Sequence, residues 1–184
     1  MPRFHSTGAI ILAGGKSSRM GQDKGLMFLD GKPMIQYVID VTKKITTNIL
    51  IVANNKHYQS FGLPVVKDIF SEKGPLGGVY TGLTHSPFEY NLVLSCDVPY
   101  LTGGVLESLL ENCTGFDITV AQSAGKIHPL IGVYRKTSLV VIEKNLHSEK
   151  LKLMDLFADL KDNIVEMNDF LPENFRNINS PGDL

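Results

Sequence analysis

The sequence predicts an α/β fold with helices on both faces of a mostly parallel, mixed sheet, and two observations carry that prediction. Apolar runs of strand length alternate along the chain with segments of helical period, the pattern that parallel strands and crossover helices produce. The first apolar run breaks into small residues and then cations, as a strand end does when it faces an anionic ligand. At 184 residues with 43% hydrophobic residues, the chain is long enough for one domain, 1–184, with a substantial core.

Residues 9–12 (AIIL) read as a buried strand, too short to span a membrane. Asp30, Gly31 and Lys32 make a turn, and Pro33 opens a helix with Met34, Tyr37, Val38 and Val41 on one face that ends near Lys44. Residues 48–53 (NILIVA) form the second strand, with Asn54, Asn55 and Lys56 at its C-terminal end. Residues 64–66 form a short third strand ending at Lys67 and Asp68. A loop over 69–74 leads into GPLGG at 74–78, where Gly77 and Gly78 open the N-terminus of a helix running to about His85.

Residues 90–96 (YNLVLSC) form the fourth strand, with Asp97 at its C-terminal end and a helix following over 103–111. Residues 117–122 and 128–134 are strands joined by a turn over 123–126, a hairpin that gives the sheet one antiparallel member. Residues 136–146 and 151–160 carry helical apolar spacing, and 163–167 form a last strand. No internal repeat or low-complexity linker marks a domain boundary.

Composition excludes several classes. A net charge of −1 and a pI near 6.5 argue against a broad basic face for duplex nucleic acid. Two cysteines, Cys96 and Cys113, without CxxC spacing, suggest neither a disulfide framework nor a zinc site. The N-terminal segment has too brief an apolar stretch for a secretory signal, and no run approaches membrane length, so the expected location is cytoplasmic.

The chemistry concentrates in residues 8–25, GAIILAGGKSSRMGQDKG. Ala13, Gly14 and Gly15 remove side-chain bulk where the strand ends, and Lys16, Arg19 and Lys24 follow closely enough for three cations to converge on a phosphate. Two familiar phosphate loops are excluded. No GxGxxG run occurs, and Gly21 is followed by Gln22 and Asp23 where a Walker loop needs lysine and a hydroxyl. Asp97, at a strand end on the same sheet edge, suits a hard divalent cation such as Mg²⁺, which takes one or two carboxylates and completes its shell from phosphate and water. On the residues alone Asp97 also reads as a cap or turn residue before the 103–111 helix, GPLGG as an ordinary Gly-Pro turn, and His128 as a structural histidine entering a strand.

LAGGKSSRMGQDKG taken as a whole resembles the nucleotide-binding signature of the MobA-like nucleotidyltransferases, and within them the molybdenum cofactor guanylyltransferases. The likeness continues through GLPVVKD, GPLGG, SCDVPY, HPLIG and NINSP, nearly the whole chain. It implies a Rossmann-like three-layer sandwich of the nucleotide-diphospho-sugar transferase type. It also implies that the chain transfers GMP from GTP to the phosphate of molybdopterin, with Mg²⁺ as cofactor and pyrophosphate as leaving group.

Carried over by position, Leu12, Ala13, Gly14, Gly15 and Lys24 contact the nucleotide, Asn54 and Asp68 lie around base or ribose, and Asp97 binds nucleotide and Mg²⁺. Arg19, Lys24 and Asp97 are the catalytic set. Gly77, His128, Asn177 and Asn179 are assigned to the pterin side. Contact with other proteins of molybdenum cofactor biosynthesis is compatible with this, and neither nucleic acid nor a membrane is an expected partner. The cytidylyl relatives usually read LAAG where this chain has Leu12-Ala13-Gly14-Gly15, so the second glycine resembles the guanine-selecting version. GQDKG is one residue shorter than the GGxDKG of some relatives, which loosens the placement of Lys24.

No nucleophilic side chain is needed for this reaction, and no Ser-His-Asp or Cys-His set is visible. A phosphate monoester is largely deprotonated near neutral pH, its second pKa being about 6, so a strong general base is also dispensable. Two other readings compete: a CTP-dependent or sugar-phosphate nucleotidyltransferase, and a nucleotide-binding regulatory module without catalysis.

Overall fold

The computed structural model of the chain describes residues 6–14, 23–70 and 72–178. Its frame is a seven-stranded sheet in the order β5-β4-β1-β6-β8-β7-β9. Here β1 is Thr7–Leu12, β4 Ile49–Val52, β5 Val65–Val66, β6 Tyr90–Ser95, β7 Ile118–Ser123, β8 Lys126–Arg135 and β9 Asp162–Glu166. The remaining strands, β2 (Phe28–Leu29) and β3 (Lys32–Pro33), form a separate ribbon. Its turn places Asp30 at φ 48° and Gly31 at φ 78°, two successive left-handed residues as a tight hairpin requires.

β1 is parallel to both β4 and β6, and β8 is antiparallel to both β6 and β7. β8 is thus the single antiparallel member expected from the 128–134 hairpin. β1 is buried throughout and apolar after Thr7 because both of its faces are covered. Ala9 and Ile11 join a core with Ile35, Val38 and Ile39 of α1 (Met34–Lys43) and Leu106 and Leu109 of α3 (Gly103–Glu111). Ile10 and Leu12 join the opposite core with Leu76, Val79 and Leu83 of α2 (Gly74–His85) and Ile142 and Leu146 of α4 (Leu139–His147). Period-2 alternation on one strand feeding two helical layers gives the three-layer sandwich.

Two expectations need correction. Residues 151–160 do not form an α-helix; Leu153–Ala158 is a 3-10 turn whose one fully buried residue is Leu156. Its apolar spacing packs a short connector over the α2–α4 core rather than one face of a helix. Gly77 and Gly78 do not sit at an open helix N-terminus either, because α2 begins at Gly74 and both are buried within it. Gly74 takes φ +64° beforehand, a conformation glycine adopts readily, and Pro75 follows in the first turn. Cys96 and Cys113 are free and buried. Among the described residues no helix is long and apolar enough to cross a membrane.

Candidate nucleotide and acceptor site

β1 and β6 are neighbours at the point where the strand order reverses, the place where open α/β sheets bind ligands. Their register pairs Leu12 with Ser95, so the two chains leave the sheet side by side. The Cys96 amide donates to the Leu12 carbonyl at 3.1 Å and the Ala13 amide donates to the Val52 carbonyl at 2.9 Å, locking the end of β1 between β6 and β4. Gly14 follows, exposed, with open space where a Cβ would stand. Among the described residues its missing side chain therefore answers no packing demand, and the backbone lies open on that side. Gly15, Lys16, Arg19 and Asn179 lie outside the described residues.

Lys24 begins a 3-10 turn, Lys24–Leu26, and its Nζ lies 4.0 Å from Oδ2 of Asp97. The Asp97 side chain is only 11% exposed, and its other oxygen, Oδ1, accepts from the Ser95 hydroxyl at 2.5 Å. The Asp97 carbonyl accepts from the Ile178 amide at 2.9 Å, which brings the C-terminal segment to the same edge. Asp97 is not the cap of α3, since that helix begins at Gly103 after Thr102. Gly25 is glycine for a steric reason: a Cβ there would stand 2.5 Å from the Tyr58 hydroxyl and 2.9 Å from Cys96 Sγ.

On the β4–β5 flank, Asn54 Oδ1 accepts from the Asp68 amide at 3.2 Å. Oδ1 of Asp68 accepts from the Phe70 amide at 3.0 Å and the Thr81 hydroxyl at 2.9 Å, and that hydroxyl accepts from the Ile69 amide at 2.9 Å. Asp68 is thus held in place from both the loop and α2. Gly77 belongs to this flank and not to the side of His128 and Asn177, as a Cβ on it would meet the Phe70 carbonyl at 2.9 Å and Asp68 Oδ1 at 3.3 Å. It lets α2 approach the Asp68 loop.

On the other flank, next to β6, a cavity of about 200 Å³ is lined by Ser95, Val98, Lys126, His128, Leu153 and Asn177, with Ile127 and Pro129–Ile131 completing its wall. The half-buried His128 ring lies 5.3 Å from the ring of Phe175. Burial, with the charge of Lys126 adding to it, lowers the His128 pKa below the ordinary 6.5, so the imidazole is neutral at neutral pH. Ser95 joins the two halves of the site, since it lines this cavity while bonding Asp97. Among the described residues no group of three or more His, Cys, Asp or Glu could hold a metal ion by itself.

The sequence reading missed Ser95 and Lys126 as lining residues, and it missed the contacts of Asp23 with Tyr58 and Asn55. Ser95 lay within the quoted SCD motif and Asp23 within DKG, but neither motif indicates a partner far away in sequence.

Comparison with known proteins places the chain in a family and agrees with its fold. The family model described as the MobA-like NTP transferase domain matches residues 9–163. A protein of Flavobacterium johnsoniae named "Probable molybdenum cofactor guanylyltransferase" is 41% identical over 177 residues, covering 95% of this chain and 92% of its own. The protein of Vibrio vulnificus named "Molybdenum cofactor guanylyltransferase" is 37% identical, covering 97% and 93%. The crystal structure of a protein from Aquifex aeolicus VF5 is similar with a TM-score of 0.82 at 35% identity, covering 96% of this chain and 94% of that one.

Proposed function

This chain belongs to the MobA-like NTP transferase family, and we propose that it transfers GMP from GTP to the phosphate of molybdopterin, releasing pyrophosphate and forming the guanine dinucleotide. The observation that carries the reading is the pairing of Leu12 with Ser95, which brings Gly14, Lys24 and Asp97 to one edge between a polar β4–β5 flank and a cavity. A nucleoside triphosphate fits with its base toward Asn54 and Asp68 and its phosphates over Gly14 toward Lys24. The cavity beside Asp97 suits the acceptor, with Lys126 supplying positive charge to an anionic pterin.

An acceptor phosphate oxygen attacks the α-phosphorus of GTP. The new P–O bond forms as the bond to the β-phosphate bridging oxygen breaks, and pyrophosphate leaves with that electron pair. Both reactants are anions, so the protein's task is to offset their repulsion and align them. Lys24 does the first and the backbone at Leu12–Ala13–Gly14 the second. Neutral His128 orients the acceptor without taking its proton, which a monoester has already lost near neutral pH.

Asp97 fits a role in holding Mg²⁺. Its Oδ1 is bound by a neutral hydroxyl and its Oδ2 faces the phosphate path beside Lys24, and a lone carboxylate is sufficient when substrate phosphates and water supply the other oxygens. When bound there, the ion offsets charge on the phosphate oxygens it touches. Incubation with GTP, Mg²⁺ and molybdopterin tests the proposal: mass spectrometry is expected to show molybdopterin heavier by one GMP. GTP binding without that adduct would favour a silent nucleotide-binding module.

A further inference from the structure

Tyr58 is fully buried although it belongs to a 3-10 turn, Lys56–Phe61, just beyond the end of β4, and the reaction above makes no use of it. Its hydroxyl donates to Oδ1 of Asp23. Asn55 Nδ2 donates to Oδ2 of the same carboxylate at 3.2 Å. Both oxygens of Asp23 are thus held from one short segment, and Asp23 immediately precedes Lys24.

The other neighbour of Lys24 is fixed by the same group, because Gly25 packs so closely on the Tyr58 hydroxyl that a Cβ would stand 2.5 Å from it. The turn closes on itself through the Leu26 amide to the Asp23 carbonyl at 3.0 Å and the Met27 amide to the Lys24 carbonyl at 3.1 Å. Burial, followed by the nearby Cys96 and Asp23, pushes the Tyr58 pKa far above the ordinary 10, so its hydroxyl keeps its proton and remains a donor. A lysine on a flexible stem is an imprecise phosphate ligand unless its backbone is held, and here the hold comes from beyond the base-side strand.

We propose that Asp23 and Tyr58 are a positioning pair that keeps Lys24 in register with Asp97 and, through Asn55, ties that cation to the strand end bearing the nucleoside side of the site. This rests on the reading of Lys24 as a phosphate ligand. The pair acts on the phosphate half of the nucleotide, so its loss separates two affinities that a general loosening of the fold would weaken together.

The test measures inhibition by pyrophosphate and by guanosine separately, alongside KM for GTP, in the intact protein. Tyr58→Phe keeps the ring in the core and removes only the hydroxyl. It is expected to raise the pyrophosphate inhibition constant and the KM for GTP roughly five- to tenfold, as loss of one hydrogen bond does, and to leave the guanosine constant unchanged. Asp23→Ala shifts the same constants further, and the double variant loses no more than Asp23→Ala alone, as groups acting as one unit do. Tyr80→Phe, which keeps the partly buried ring on α2 against Phe70 and removes only the hydroxyl that donates to Glu143, changes none of them.

Equal weakening of guanosine and pyrophosphate, no change in Tyr58→Phe, or losses that multiply in the double variant would each overturn the pair's role. If the wild-type protein bound neither GTP nor pyrophosphate, the functional reading would fall with it. A wild type that binds both, with an unchanged ratio in Tyr58→Phe, refutes the pair alone.

Discussion

Nζ of Lys24 and Oδ2 of Asp97 lie 4.0 Å apart across the exit of the β1–β6 pair, close enough that each charge partly offsets the other, and the proposed function places a polyphosphate between them. The two residues then take different tasks. Lys24→Ala is expected to weaken GTP binding by about 1.5–3 kcal/mol, roughly 10- to 100-fold, the usual worth of a hydrogen bond to a charged group. Calorimetric titration with GTP checks this, and an unchanged affinity removes Lys24 from the phosphate site.

Asp97→Asn isolates charge from shape. The amide oxygen still accepts from the Ser95 hydroxyl, which now bonds Oδ1 at 2.5 Å, so the melting temperature is expected to stay within a few degrees of wild type. Turnover is expected to fall at least about 10²- to 10³-fold, in the range seen when one electrostatic contact to a transition state is lost. Near-normal rates at saturating Mg²⁺ would exclude Asp97 from its proposed metal role.

Gly77→Ala probes the proposed nucleoside flank without removing a polar group. A methyl group there meets the Phe70 carbonyl at 2.9 Å and Asp68 Oδ1 at 3.3 Å, so either α2 or the Asp68 loop must move. Overpacking of this kind costs about 1–3 kcal/mol, partly offset by roughly 1 kcal/mol of helix propensity gained over glycine. The expected result is a melting temperature lower by a few degrees and a several-fold rise in KM for GTP. Unchanged values of both would show that the loop yields freely.

The parts legible in the sequence were those with a strong local signature. The helix expected over 103–111 coincides with α3, and the YNLVLS run predicted β6 together with the position of Asp97 at its end. The antiparallel β8 followed from a short turn between two apolar runs. What stayed hidden depends on distant chain segments. Gly77 reads locally as a turn glycine, and only the approach of the Asp68 loop reveals its packing role. Tyr58 lies in a stretch without periodicity, and its partner Asp23 is 35 residues away. Residues 151–160 carried helical spacing but too few buried positions to support an α-helix.

The lowered pKa of His128 makes stability depend on pH. The folded state disfavours its imidazolium, so near and below the ordinary value of 6.5 the unfolded chain binds more protons than the folded one. Stability contributed by the neutral ring is therefore complete above that value and declines as pH falls through it. Thermal melts between pH 7.5 and 5.5 are expected to show a steeper loss in wild type than in His128→Gln. Parallel curves would mean that the imidazole titrates alike in both states.

The claim on which the rest turns is the identity of the donor base and of the acceptor. Pyrophosphate release, measured with purified molybdopterin and each of GTP, ATP, CTP and UTP at saturating Mg²⁺, addresses both directly. The account predicts rapid release with GTP, at least tenfold slower release with the other three, and none when molybdopterin is left out. Release supported best by CTP, or equal release without the pterin, would contradict it.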